Sequence, residues 1–271
     1  MERIDHGRDR RRSRDRRAGA RTPEAAQLIA AFERDEIEIL FQPQFAAADG
    51  ALLGAEALAR WRHPEQVVVG GDMLFEIAER AGLSRELSSH VARLALGEAA
   101  GWPGSLRLSL NVTAIDLAEP DFVERIASQV DRARFVPDRL TLEITEQALV
   151  ADVGRSAERL EALTRVGIRV ALDDFGAGFC NFSYLKRLPL HFLKLDRSMI
   201  DGIDHDSRDL AVLRGIVSMA RALGLRVVAE GIEREAHRSV VVREGCFAWQ
   251  GFLGARPMSA GAFHELIEHR G

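Results

Sequence analysis

The chain has 271 residues, of which 46% are hydrophobic and 29% are charged, and its formal net charge is −4. This length and apolar content suit one α/β barrel, and the slightly negative charge gives no general argument for nucleic-acid binding. No apolar run reaches the roughly 18 residues that a membrane-spanning helix needs, and the N-terminus lacks the hydrophobic region of a signal peptide. The two cysteines, Cys180 and Cys246, cannot build a disulfide framework. We therefore expect a cytoplasmic protein with reduced cysteines.

The N-terminal segment differs in composition from the rest of the chain. Residues 1–21 contain nine arginines and four acidic residues, with few apolar side chains. Such a charge run predicts a disordered, solvated tail over 1–22, followed by one folded domain over 23–271. Nucleic acid or a membrane surface could attract the tail, but we do not expect it to bind nucleic acid.

Beyond the tail, helix and strand patterns follow one another in a regular order. A helix is predicted after Thr22, with Pro23 in its first turn, and two strands and two helices come next. Strands and helices then alternate to the C-terminus. The predicted strands are 37–41, 52–59, 106–111, 140–144, 168–173, 190–195, 226–230 and 246–249, and the helices after the first are 73–81, 85–99, 121–131, 156–165, 208–223, 233–243 and a terminal one. About eight strands with interleaved helices favour a barrel over an open sheet.

Polar side chains stand where several of these apolar strands end. They are Glu56, Asn111, Glu143, Asp173, Asp174, Lys194 and Glu230. In a barrel of parallel strands those ends meet on one face, where ligands bind. Several carboxylates in one cleft repel each other unless a positive group lies among them, and a divalent metal ion is the simplest such group. Any single acid of the set could instead be a helix cap or an ion-pair partner.

The candidate ligands indicate the type of metal ion, and the absence of two sequence motifs argues against nucleotide-binding loops. Oxygen ligands favour Mg²⁺ or Mn²⁺ over zinc. The segment GAG at 176–178 lacks the third glycine of a dinucleotide-binding loop and follows two acids, and the chain contains no Gly-Lys pair of a P-loop.

Lysine usage gives an independent indication. Of the 37 basic residues only Lys186 and Lys194 are lysines. Lys194 lies inside an apolar strand, which suggests that an ammonium is needed there. An ammonium can donate to a metal-bound water, and its pKa can shift when it is buried. The alternative is a structural ion pair with Asp196 or a neighbour. We regard Lys186 as incidental.

A series of short segments then identifies a family resemblance. These segments are FQPQ at 41–44, GAEALARW at 54–61, LNVTA at 110–114, LEITE at 142–146, ALDDFGAGF at 171–179, LKLDRSMI at 193–200, VVAEGIE at 227–233 and QGFLGARP at 250–257. In this order they resemble the motifs of EAL-domain cyclic di-GMP phosphodiesterases, over about residues 37–258. The resemblance implies a modified TIM-type β/α barrel with one early antiparallel strand. It also implies hydrolysis of one phosphodiester bond of cyclic di-GMP to give linear pGpG, with two divalent cations.

The resemblance further implies a role for each matching residue. The direct metal ligands would be Glu56, Asn111, Glu143 and Asp173, with Asp174 at the second ion and Glu230 binding directly or through water. Lys194 would orient the attacking water, and Glu146 would hold the loop after Asp174. Gln42, Arg60 and Gln250 would contact the substrate or order the site. Mg²⁺ or Mn²⁺ would support turnover and Ca²⁺ would inhibit, and the protein would form a homodimer through helices flanking the loop after Asp174.

The chain departs from the family pattern in two places that avoid the presumed ligands. DDFGAGFCNFSYL stands where relatives commonly have DDFGTGYSSLSYL, so Ala177 replaces a threonine and Cys180-Asn181 replaces two serines. VVVGGDM follows RHPE where relatives often carry prolines. We predict an active phosphodiesterase. The alternatives are a catalytically weak cyclic di-GMP receptor and a protein-interaction module.

Overall fold

The computed structural model describes residues 23–64, 68–150, 153–178 and 185–270. The predicted tail at 1–22 and the Cys180-Asn181 substitution lie outside these ranges. Within them, none of the helices is long and apolar enough to cross a membrane.

Eight strands in the described residues close into a barrel in chain order. They are β1 (Ile37–Ala46), β2 (Leu52–Trp61), β3 (Arg107–Val112), β4 (Leu140–Thr145), β5 (Arg169–Phe175), β6 (Phe192–Leu195), β7 (Arg226–Ala229) and β8 (Ala248–Gln250). β1 runs antiparallel to both of its neighbours, β2 and β8, and all other pairs are parallel. The predicted barrel with one early antiparallel strand is confirmed.

Helices follow most of the strands and pack on the outside of the barrel. They are α1 (Pro23–Glu33), α2 (Gly71–Ala81), α3 (Ser84–Ala99), α4 (Ala114–Ala118), α5 (Phe122–Arg132), α6 (Glu146–Val150), α7 (Val153–Arg165), α8 (Ser207–Ala222), α9 (Glu235–Glu244) and α10 (Ala260–Arg270). Two of these helices, α4 and α6, have five residues each and were not predicted. A segment this short contains too few positions for a helical period to show in the sequence.

The start of α4 nevertheless has a local cause. The Thr113 hydroxyl accepts a hydrogen bond from the Asp116 main-chain N–H, and the Asp116 carboxylate accepts one from the Thr113 N–H. This reciprocal capping box satisfies donors that the first helical turn leaves open. The chain therefore turns into a helix directly after β3.

The central strands are buried on both faces. Every residue of Leu140–Ile144 is buried, and so is every residue of β6. One face packs under the helices and the other points into the barrel, so the strands read as nearly continuous apolar runs. Inside the barrel, Ala171, Phe192, Val228 and Ala248 form a small apolar cluster of their own.

The inward side chains change character along the barrel axis. Neighbouring inward positions on a strand are two residues apart. The inward series are Arg107–Ser109–Asn111 on β3, Arg169–Ala171–Asp173 on β5 and Arg226–Val228–Glu230 on the line of β7. Guanidinium groups therefore lie at the N-terminal mouth of the parallel strands, small or apolar groups in the middle, and acids and an amide at the C-terminal mouth.

Candidate active site

The C-terminal mouth brings together the polar residues predicted from strand ends. The four even-numbered strands contribute Glu56, Glu143, Lys194 and Gln250, all of them buried. The odd-numbered strands and the residue after β7 contribute Asn111, Asp173 and Glu230 to the adjoining rim. Side chains from alternate strands share a layer in a barrel of this kind. The residues of the even-numbered strands therefore form one layer, and those of the odd-numbered strands form the next.

The Lys194 ammonium lies at the centre of the carboxylates. Its Nζ is 2.5 Å from Glu143 Oε2, 2.8 Å from Glu230 Oε1 and 3.1 Å from Asp173 Oδ1. Glu56 Oε2 follows at 3.6 Å, and Lys194 is only 1% exposed. Asp196 makes no such contact, because its carboxylate accepts a hydrogen bond from the Ser198 main-chain N–H instead. The alternative of a structural ion pair with Asp196 is therefore not found, but ion pairs with neighbouring carboxylates are present, so that form of the alternative stays open.

Negative charge exceeds positive charge in this cluster. Burial, with repulsion from neighbouring acids, raises the pKa of Glu143 well above its usual range and that of Glu230 to about 8. Burial works against the charge on Lys194, but four carboxylates outweigh it and raise its pKa well above the ordinary value. One ammonium therefore does not balance the surrounding acids, and the site would attract further cations.

A chain of amides holds Glu56 in its charged form. Asn111 Nδ2 donates to Glu56 Oε1 at 2.8 Å, and Gln250 Nε2 donates to Glu56 Oε2 at 2.7 Å. Burial favours the neutral acid, but Lys194 and these two donors outweigh it and lower the pKa of Glu56. Gln250 also donates to Gln42 Oε1 at 3.1 Å.

Gln44 completes this network and was missed by the sequence analysis. Its Nε2 donates to Gln250 Oε1 at 2.9 Å, across the pairing of β1 with β8. The signal was present in FQPQ, because Gln42 and Gln44 are two residues apart on one strand and so point into the barrel together.

Asp174 occupies a strained position at the rim. Its φ of 54° is left-handed, and its main-chain N–H donates to Asp173 Oδ1 at 2.9 Å. Partial burial and the neighbouring Asp173 raise the pKa of Asp174. Gly176 follows with φ of 105°, and a Cβ there would lie 2.3 Å from Met199. The left-handed φ and the nearby Met199 favour glycine here, which explains the glycine two residues after Asp174.

The remaining predicted residues lie around the same mouth. Arg60 is half-buried near the end of β2 and donates to the Ala59 carbonyl at 2.7 Å. Glu146 is half-buried and begins α6 directly after β4. Lys186 is exposed, in agreement with an incidental role.

The side chains at this mouth are of the chemical type that binds a hard divalent cation. It consists of carboxylates and one amide without histidine or cysteine, which is the chemistry that Mg²⁺ and Mn²⁺ prefer. Glu230 Oε1 is buried and makes no hydrogen bond, although it lies near Lys194. In the described part of the chain, no three acidic, histidine or cysteine side chains are positioned to hold a metal ion. The point on which the carboxylates converge is held by the ammonium, so metal binding requires these side chains to rotate.

Comparison with known proteins gives one consistent family. A protein-family profile described as EAL domain matches residues 25–257. The bifunctional diguanylate cyclase/cyclic di-GMP phosphodiesterase MucR of Pseudomonas aeruginosa is 35% identical over 237 residues, covering 86% of this chain and 35% of MucR. The cyclic di-GMP phosphodiesterase NbdA of the same organism is 35% identical over 246 residues, covering 89% of this chain and 31% of NbdA. The chain thus spans about a third of each of these relatives.

A solved structure of the MucR phosphodiesterase in complex with c-di-GMP has the same fold. It superposes with a TM-score of 0.83 at 34% sequence identity, covering 89% of this chain and 99% of that chain.

Proposed function

The chain belongs to the EAL domain family, and we propose that it is a metal-dependent phosphodiesterase that hydrolyses cyclic di-GMP to linear pGpG. The observation that carries the proposal is the cluster of four carboxylates, three of them buried, around the buried Lys194 at the mouth of the barrel. The names of MucR and NbdA, and the c-di-GMP complex of MucR, support the choice of substrate.

In this proposal, two divalent cations, Mg²⁺ or Mn²⁺, bind at the C-terminal mouth. The residues that would hold them are Glu56, Asn111, Glu143, Asp173, Asp174 and Glu230. Bound cations of this type supply Lewis-acid activation of water and neutralise phosphoryl oxygens. The excess of carboxylates over ammonium supports this assignment, because added positive charge relieves their repulsion. An amide at Asn111 adds an oxygen ligand without adding to the negative charge.

The protein's own side chains then position the reactants. The Lys194 ammonium is buried and reaches several carboxylates, so it can donate to the attacking water and hold it in line with phosphorus. Arg60, at the rim, can pair with the non-bridging phosphate oxygens. Gln250 keeps Glu56 in place by donating a hydrogen bond to it, and Gln42 accepts a second hydrogen bond from Gln250. Glu146, at the start of α6, would hold the loop that follows Asp174.

The test is an assay of the purified full chain with cyclic di-GMP and Mg²⁺ or Mn²⁺, in which pGpG is separated from substrate. We expect pGpG from the wild type and none above background from Glu56→Ala or Asp173→Ala. Asp201→Ala is the matched control, because its side chain is 58% exposed and pairs with Arg197 rather than with the cluster. Substantial turnover by either site variant contradicts the two-metal assignment. Tight binding without turnover by the wild type would favour the cyclic di-GMP receptor instead.

A further inference from the structure

Three arginines share one layer at the N-terminal mouth of the barrel, at the opposite end from the carboxylates. Arg107, Arg169 and Arg226 are the first residues of β3, β5 and β7. Each lies on the same inward face as the acid or amide at the other end of its strand, two inward positions away. Because alternate strands contribute to one layer, the three arginines stand at the same end of the barrel.

The charges in this layer are poorly compensated. Arg107 Nη1 and Arg169 Nε both donate to the Asp138 main-chain carbonyl, at 3.1 Å and 2.9 Å. The Asp138 carboxylate is 62% exposed and no closer than 3.9 Å to Arg169 Nη2. Burial and the positive charges of Arg169, Arg226 and Arg139 lower the pKa of Arg107, although the Asp138 carboxylate acts in the opposite direction. Asp138 pairs with Arg169 and also acts on Arg107, so one exposed carboxylate offsets only part of the charge of three guanidinium groups.

Arg226 is the least satisfied of the three. It is exposed, and its guanidinium lies 4.7 Å from the centroid of the Phe247 ring. With the described part of the chain it makes no side-chain hydrogen bond or ion pair. Its donors are therefore available to a ligand at this mouth.

The surroundings add a further donor and an apolar wall. His191 Nδ1 accepts a hydrogen bond from the Val170 main-chain N–H at 3.2 Å, which leaves the Nε2–H as a donor. Arg107 lines an interior cavity together with Leu53, Phe192 and Phe247, and Glu143 and Lys194 line the same cavity. The buried Arg139, which donates to the Leu106 carbonyl, adds a fourth positive charge nearby.

We propose that this N-terminal mouth, defined by Arg107, Arg169, Arg226 and His191, binds a multivalent phosphate group, such as the diphosphate of a phosphorylated small molecule. Guanidinium groups present paired N–H donors that match phosphate oxygens, and several of them at one end of the barrel favour an anion with more than one charge. These four residues lie at the opposite end of the strands from the C-terminal mouth, and the proposal does not depend on the function proposed for that mouth.

The experiment uses the full chain in EDTA, which removes divalent cations, with pyrophosphate as the probe. We expect saturable binding by calorimetry, and a rise in melting temperature of about 3 °C over sodium chloride of equal ionic strength, as ligand linkage requires. Arg169→Gln and Arg226→Gln should each weaken the affinity at least about tenfold. Arg208→Gln is the matched control, because Arg208 is exposed at the start of α8, away from this mouth, and should bind as the wild type does.

Two comparisons make the result decisive. Arg60→Gln should leave the affinity for pyrophosphate unchanged. A loss of pyrophosphate affinity in this variant would place the anion at the C-terminal mouth and overturn the proposal. Inorganic phosphate and sulfate should bind more weakly than pyrophosphate, and equal affinities would contradict a multivalent site. Arg226 is exposed, so Arg226→Gln should fold even if Arg169→Gln does not. Unchanged pyrophosphate affinity in folded Arg226→Gln, or no saturable binding by the wild type, refutes the site.

Discussion

At the scale of single residues, Lys194 decides the charge balance of the C-terminal mouth. Because the chain uses arginine almost everywhere, a lysine buried among four carboxylates indicates a need for a compact ammonium. An ammonium brings its donors to one point, whereas a guanidinium is longer and planar. The two groups are therefore not equivalent at this position.

Lys194→Arg tests that difference. If Lys194 orients the attacking water, the arginine should displace it and lower kcat at least about a hundredfold, the loss that a 1 Å misplacement can cause. Cyclic di-GMP binding, measured with Ca²⁺ to suppress turnover, should weaken far less. Lys186→Arg is the control, because Lys186 is exposed, and it should keep full activity. Near-normal kcat in Lys194→Arg would show that the residue is only a counter-ion.

At the scale of elements, the connection between α2 and α3 depends on one glycine. Gly82 ends α2 with φ of 66°, and the main-chain N–H of Leu83 donates back to the Ala78 carbonyl at 2.8 Å. A left-handed residue at this position closes the last turn of the helix. The next helix begins two residues later, so the connection is too short to relieve a strained turn by moving its backbone.

Gly82→Ala should lower the free energy of unfolding by about 1–2 kcal/mol, because L-residues disfavour the left-handed region. Gly97→Ala is the matched control: Gly97 is exposed inside α3, with no atom near the position of a new Cβ. That substitution should raise the free energy of unfolding by about 0.5–1 kcal/mol. Urea denaturation of both variants measures the difference, and equal effects would contradict the assigned conformation of Gly82.

At the scale of the whole molecule, cation binding at the C-terminal mouth should stabilise the fold. A cation at about a hundred times its Kd adds about 2.7 kcal/mol to the free energy of unfolding. Mn²⁺ or Mg²⁺ should therefore raise the Tm above that in sodium chloride of equal ionic strength, and Asp173→Asn should lose most of the rise. Ca²⁺ should also raise the Tm while supporting little turnover, because its looser coordination misplaces the water. A Tm that does not respond to Mn²⁺ would argue against the metal site.

Assembly is a second property of the whole molecule. We predict a homodimer through helices that flank the loop after Asp174, and unchanged catalysis after deletion of residues 1–22, which contain no candidate site residue. Sedimentation velocity at micromolar concentrations, run in parallel with the hydrolysis assay, measures both. A monomer with full activity at high micromolar concentration would show that catalysis does not require dimer contacts.

Local patterns in the sequence were enough to predict the strands and their polar ends. Apolar runs and their intervals predicted eight strands, and the structure differs mainly in their limits: β1 continues to Ala46, whereas β8 covers only Ala248–Gln250. The five-residue helices α4 and α6 and the role of Gln44 were missed. The arginine layer was also missed. In the sequence, an arginine at the start of a strand cannot be distinguished from an ordinary surface arginine, because only the arrangement of the strands around one axis brings the arginines together.

The sequence by itself determined which side chains of a strand share a face, because a strand alternates its faces at every residue. Only the tertiary structure decided which of them meet. Lys194 and Glu143 are 51 positions apart in the chain, and Gln250 and Glu56 are 194 apart. Closure of the barrel brings these pairs into contact and removes water from them. The same burial sets the pKa values of Glu143, Glu230 and Lys194. Contacts and desolvation of this kind depend on strands that are distant in sequence, so no local pattern could predict them.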